Sequence, residues 1–119
     1  MALSFAPGDD LVFQVESGFG LLRVLATDER AGERVWHILV YEDFYPEVEA
    51  AEAALLARGY DLSVRNEHLA LTEHAFAKTP AARLGNRAVT EEELEAYRRW
   101  LETDGEVFDR SVMLMLGLR

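Results

Sequence analysis

The stretch from Glu33 to Glu42, ERVWHILVYE, constrains the fold of this chain more than any other. In a strand, successive side chains point to opposite faces. That rule puts Trp36, Ile38 and Val40 on one face and Val35, His37, Leu39 and Tyr41 on the other. Both sets are largely apolar, so neither face suits water. The strand must lie inside a sheet with a layer on each side. A chain of 119 residues can bury enough surface for one such domain. It needs no disulfide or metal staple, and it has no cysteine to make one.

Two earlier runs prepare this strand. LVFQVE (11–16) and FGLLRVLATD (19–28) are rich in β-formers. APGDD (6–10) opens the domain as a turn, Ser17-Gly18 makes a tight turn, and ERAG (29–32) makes another. Strands joined this closely must run antiparallel, because parallel neighbours need a long crossover. Gly18 is expected to supply the positive φ of a hairpin turn. Gly20 is expected at a bulge or a close backbone approach. Arg23 stands alone in the apolar run 21–25 and should reach a carboxylate or water from the less buried face.

After DFYP the period changes. EVEAAEAALLARG (47–59) predicts a helix, with Pro46 at its first position, Glu47 and Glu49 near its positive end, and Gly59 just past its last turn. Its apolar stripe is Val48, Ala51 and Leu55, supplemented by Ala54 and Leu56. YDLSVR (60–65) and EHLALTEHAF (67–76) predict two short strands around Asn66, and 77–89 a connection rich in turn residues. TEEE (90–93) is a capping box, in which the Thr90 hydroxyl and the Glu93 carboxylate satisfy each other's amides. The helix it starts carries Leu94, Tyr97 and Leu101 on one side, with Trp100 adjoining. The tail SVMLMLGL fits a buried strand or a helix, and the helix is favoured. The expected fold is one α+β domain over 1–119, a curled antiparallel sheet or small SH3-like barrel of about five strands with two or three helices.

Function is less legible. The net charge is −10, and the twelve basic residues are eleven arginines and Lys78. Nucleic acid is bound largely by neutralising phosphates, so this balance argues against it. An acidic surface instead favours a basic partner. No apolar run approaches the ~18 residues of a membrane span. MALSFAPGDD has no basic segment followed by a long apolar one. The expectation is a soluble cytoplasmic protein with no membrane partner.

No catalytic motif stands out. Gly18-Phe19-Gly20 lies between strand-like runs, whereas a phosphate loop needs a strand followed by a helix. Ser4, Ser17, Ser63 and Ser111 lack a nucleophile-elbow context. His68 and His74, placed in one strand, would lie roughly 20 Å apart, too far for one ion. His37 sits among apolar neighbours. No metal or cofactor is expected, and no catalytic residue is assigned.

What remains is the corner YEDFYP. Tyr41, Glu42, Asp43, Phe44 and Tyr45, with Glu49 and Glu52, place aromatic groups among carboxylates. That composition suits a surface that binds a basic protein, while the plainer reading, and the one favoured for the aromatic pair, is that Phe44 and Tyr45 fasten the helix to the sheet. The alternative reading is a small hydrolase using His37 or the acidic cluster 42–52. Self-association as a homodimer through the apolar segment SVMLMLGL is a third expectation.

The N-terminal third resembles a known pattern. Gly8-Asp9, Phe13, Gly18-Phe19-Gly20, Val24 and Tyr41-Glu42 are similar to the opening of the bacterial immunity protein 26 family. The resemblance spans about residues 7–45. It implies a barrel-like protein that binds and neutralises a toxin, and it transfers no catalytic residue.

Overall fold

The computed structural model describes residues 3–118. The three N-terminal strands form as β1 (Asp9–Val15), β2 (Gly18–Arg30) and β3 (Glu33–Tyr45). Val15 pairs with Gly18 and Arg30 with Glu33, so Glu16-Ser17 and Ala31-Gly32 make the turns. Ala31 and Gly32 have φ of 51° and 81°, and paired left-handed residues match the twist of a hairpin. Gly18 does not have a positive φ, contrary to expectation. Its requirement is space, because a Cβ there would strike the Tyr45 carbonyl oxygen. Gly20 does sit at a register shift, and a Cβ there would meet the Phe13 ring at 2.5 Å. The close neighbour is thus a side chain, not backbone.

The remaining strands are β4 (Val64–Thr72) and β5 (Ala81–Asn86), and the sheet order is β4-β3-β2-β1-β5. β4 and β5 are the two edges, so the sheet is open and the barrel alternative is not the one adopted. β4 is one strand where two were expected. Asn66 pairs with Val40 and Leu69 with Ile38, so three steps on β4 match two on β3. A bulge at Glu67-His68 absorbs the extra residue. Residues 73–76 leave the strand altogether and enter a short helix, Glu73–Ala77, which Thr72 caps by accepting from the Ala75 amide. The helices are α1 (Val48–Arg58), α2 (Glu73–Ala77), α3 (Glu91–Glu102) and α4 (Val112–Met115). β5 lies inside the stretch expected to be a connection, and it pairs antiparallel with β1.

Both faces of the sheet are covered, as the alternation of β3 requires. Trp36, Ile38 and Val40 join Leu11, Phe13, Leu22, Val24 and Leu71 on one face, beneath Phe76 of α2 and Val112 and Leu116 of the tail. Leu39 and Tyr41 join Val12, Leu21 and Leu25 on the other, beneath Ala51 of α1, while Val35 and Ala70 lie beneath Trp100 of α3. Residues 35–41 are buried without interruption. Three helix details differ from expectation. Glu47 is the N-cap of α1, so Pro46 lies outside the helix, and Leu56 faces water. In α3 the inward residue of the last turn is Trp100, and Leu101 is exposed. The tail makes a single helical turn, capped by Ser111, after Phe108 has bridged to Leu71 of β4.

No helix among the described residues is long and apolar enough to cross a membrane.

Candidate functional site

Two polar networks seat α3 on the sheet, and a cleft opens between the helix and strands β3 and β4. The first network answers the isolated Arg23. Its side chain is fully buried and points to the α1/α3 face. Arg23 Nε donates to Glu93 Oε2 at 2.6 Å, and Nη2 donates to Glu93 Oε1 at 3.1 Å. Nη1 donates to the Gly8 carbonyl at 2.9 Å, and Nη2 to the carbonyls of Arg87 and Ala88 at 3.0 and 2.9 Å. Asp10 lies 3.4 Å from Nη1 and is held more closely by Arg87, at 2.7 and 2.9 Å. Every direction of the guanidinium therefore meets an acceptor, as burial of a charge demands. Burial works to raise the Glu93 carboxyl, but the Arg23 and Thr90 hydrogen bonds prevail and hold it below its ordinary value. The capping box forms as the sequence predicts, so Glu93 both caps α3 and ties its first turn to β2.

The second network crosses three strands. Asp28 on β2 accepts from His37 Nε2 at 3.1 Å, and His37 Nδ1 meets His68 Nε2 of β4 at 2.8 Å. Tyr97 and Trp100 of α3 lie over this row, their rings 4.4 and 4.7 Å from the His37 ring. Arg30 stacks on Trp100 at 4.1 Å and pairs with Asp104 at 2.9 Å. The β4 bulge is what brings His68 here beside Glu67. His74, by contrast, is exposed on α2. No three metal-ligating side chains gather to hold an ion among the described residues.

The cleft has a volume of about 450 Å³. Leu39 and Tyr41 of β3, Val64 of β4 and Tyr60 form its apolar wall; Glu67 stands on the β4 side and Glu92 and Glu95 on the α3 side. Arg99 reaches across to Glu67 at 3.3 Å, while Glu93 is already neutralised by Arg23. Tyr60 is held in place by donating to the Ala88 carbonyl at 2.7 Å, with Arg87 over its ring at 4.5 Å.

The expected corner is arranged differently. Tyr41 is buried, its hydroxyl accepting from Arg87 at 3.0 Å; burial first, and Asp10 next, push its phenol up to about 12. Glu42, Asp43, Glu49 and Glu52 are exposed, Phe44 is 37% exposed and Tyr45 is half-buried against α1. Of these seven residues Tyr41 alone lines the cleft. His37 and the 42–52 carboxylates line neither this cleft nor the larger, more open one, of about 620 Å³, around Gly32, Arg34, Thr72 and Asp109. Glu92 and Glu95 already stand together in the acidic run 91–95 of the sequence, but Glu67 was missed, because it joins them only when α3 lies over β4. Compared with family models, with curated proteins and with solved structures, the chain finds no match in any of the three.

Proposed function

We propose that this chain is a non-enzymatic binding protein whose acidic face meets a basic partner, with the cleft beside α3 as the centre of contact. One observation carries the reading: an apolar wall of Leu39, Tyr41, Val64 and Tyr60 faces the carboxylates Glu67, Glu92 and Glu95. A lysine or arginine side chain has that same division, an apolar stem and a charged head. The exposed acids Glu42, Asp43, Glu49 and Glu52 extend the negative field over the neighbouring corner and would speed the encounter. A protein that neutralises a basic toxin by covering it would use such a face. The resemblance to the immunity family agrees with that use, although its residues build β1–β3 and only Tyr41 among them reaches the cleft.

The test is capture of a basic partner, or of an arginine-rich peptide as a probe, followed over a salt series. Affinity should fall steeply with salt, and Glu92→Gln/Glu95→Gln together should weaken binding about tenfold, the effect of roughly 1.4 kcal/mol. Binding indifferent to both salt and these substitutions would sink the reading.

A further inference from the structure

We propose that Asp28, His37 and His68 form a proton-operated latch on α3: the neutral row holds the Tyr97–Trp100 face of the helix against the sheet, and proton uptake by the two imidazoles releases it. The proposal starts from the direction of the rings. The His37 and His68 centroids are 5.1 Å apart and the facing nitrogens 2.8 Å. The difference is little more than one ring radius at each end, and the planes are only 14° apart. The nitrogens therefore point at each other head-on, with room for a proton between them and none for a metal ion.

The proton count then follows. Asp28 accepts, so His37 carries its hydrogen on Nε2, and His37 Nδ1 is left with a lone pair. That lone pair can take a bond only from His68 Nε2–H. The free lone pair of the row is His68 Nδ1, which has no protein partner among the described residues. A first added proton lands there, and Asp28 offsets it through His37. A second must go to His37 Nδ1, which turns the acceptor into a donor facing a donor. The bond is lost and a cation stands in the fully buried His37 ring.

Every neighbour bears on this balance. Asp28 of β2 favours the cation, and Arg30 of the same strand opposes it. From α3 come the Tyr97 phenol and the Trp100 ring, neither a counter-charge, while Glu67 beside His68 is engaged by Arg99 at the rim. Burial holds His37 below the ordinary imidazole range despite Asp28, and burial with the charge of His37 brings His68 down to about 4. An unfolded histidine titrates near ~6.5. Between those values the released state binds more protons than the latched one, so the seam weakens as pH falls from about 6.5 toward 4. Because α3 carries Glu92, Glu95 and Arg99, release also dismantles the cleft. That consequence rests on the cleft being the binding site, whereas the latch does not.

The test uses the protein without any ligand. Imidazole ¹⁵N shifts at neutral pH should show both His37 and His68 as the Nε2–H tautomer; an Nδ1–H tautomer at His68 would overturn the latch. Hydrogen-exchange protection of α3 amides should fall below pH ~6.5 by up to about tenfold per pH unit for each proton bound on release. His68→Gln keeps a donor near the Nε2 position and cannot titrate, so its α3 protection should fall less over the same range. Equal loss in both proteins would refute the proposal. If His68→Gln does not fold, Asp28→Asn keeps the acceptor and removes its charge. The imidazole titration should then move to lower pH, and an unmoved titration would count against the latch.

Discussion

At the residue scale, Arg23 shows how far a sequence reading reaches. A lone charge inside an apolar run is visible from the chain alone, and so is its need for a carboxylate or water; that the side chain is fully buried, and not on a less buried face, is not. The identity of the partner is not, because Glu93 is 70 residues away and meets Arg23 only after α3 has packed. The same distance problem hid His68 from His37, 31 residues apart. Removing a buried ion's partner leaves an uncompensated charge, at a cost of about 3–5 kcal/mol. Arg23→Ala should therefore lower the unfolding free energy by about that much in urea titration, with Arg23→Lys recovering only part, since an ammonium cannot reach the six acceptor atoms spread around the guanidinium's fixed plane. The pH sign follows from Glu93. Its folded carboxyl lies below the ordinary value of 4.5, so its contribution is present above that value and disappears as pH falls through the folded one. Arg23→Ala should flatten this acid limb of the stability curve. A substitution that costs less than about 1 kcal/mol would mean that water replaces the ion pair without penalty.

Elements were legible where a local signal dictated them. The β3 alternation, the Ala31-Gly32 turn and the Thr90–Glu93 capping box each act within a few residues, and each forms. Elements set by tertiary pairing were not. β5 has no alternation to announce it and exists because β1 offers it an edge. The single β4 has the sequence pattern of two strands because a bulge breaks the period at Glu67-His68. The tail was ambiguous for a further reason: an apolar run too short to show a period can serve a core or a partner equally well. The structure commits much of it inward. Leu116 and Val112 are buried in the core beneath the sheet, whereas Leu114 is 67% exposed. Leu116→Ala should thus cost about 2–5 kcal/mol of stability, and Leu114→Ala close to nothing. Light scattering on both variants separates this from self-association: a dimer through the tail would dissociate in Leu114→Ala while the fold kept its melting temperature.

At the scale of the whole molecule, one variable should move folding and binding in opposite directions. With a net charge of −10, the folded chain gathers more negative charge into a small volume than the unfolded chain does. Salt screens that repulsion over a Debye length that shrinks from ~30 Å at 0.01 M to ~8 Å at 0.15 M. Ion pairs on the surface, such as Arg98 with Glu91 or Arg99 with Glu67, lose strength over the same range, but each contributes little. The Arg23 network is buried and is hardly screened. Added salt should therefore raise the melting temperature, by about 4 °C for each kcal/mol of repulsion removed in a domain of this size. Calorimetry at two ionic strengths measures that rise. A basic partner held by Glu67, Glu92 and Glu95 would respond the other way, because the same ions screen its attraction to the cleft. If both stability and partner affinity fell together on adding salt, surface pairs would outweigh the net charge in the fold, and the acidic balance would have to be explained by its pairs instead of its field.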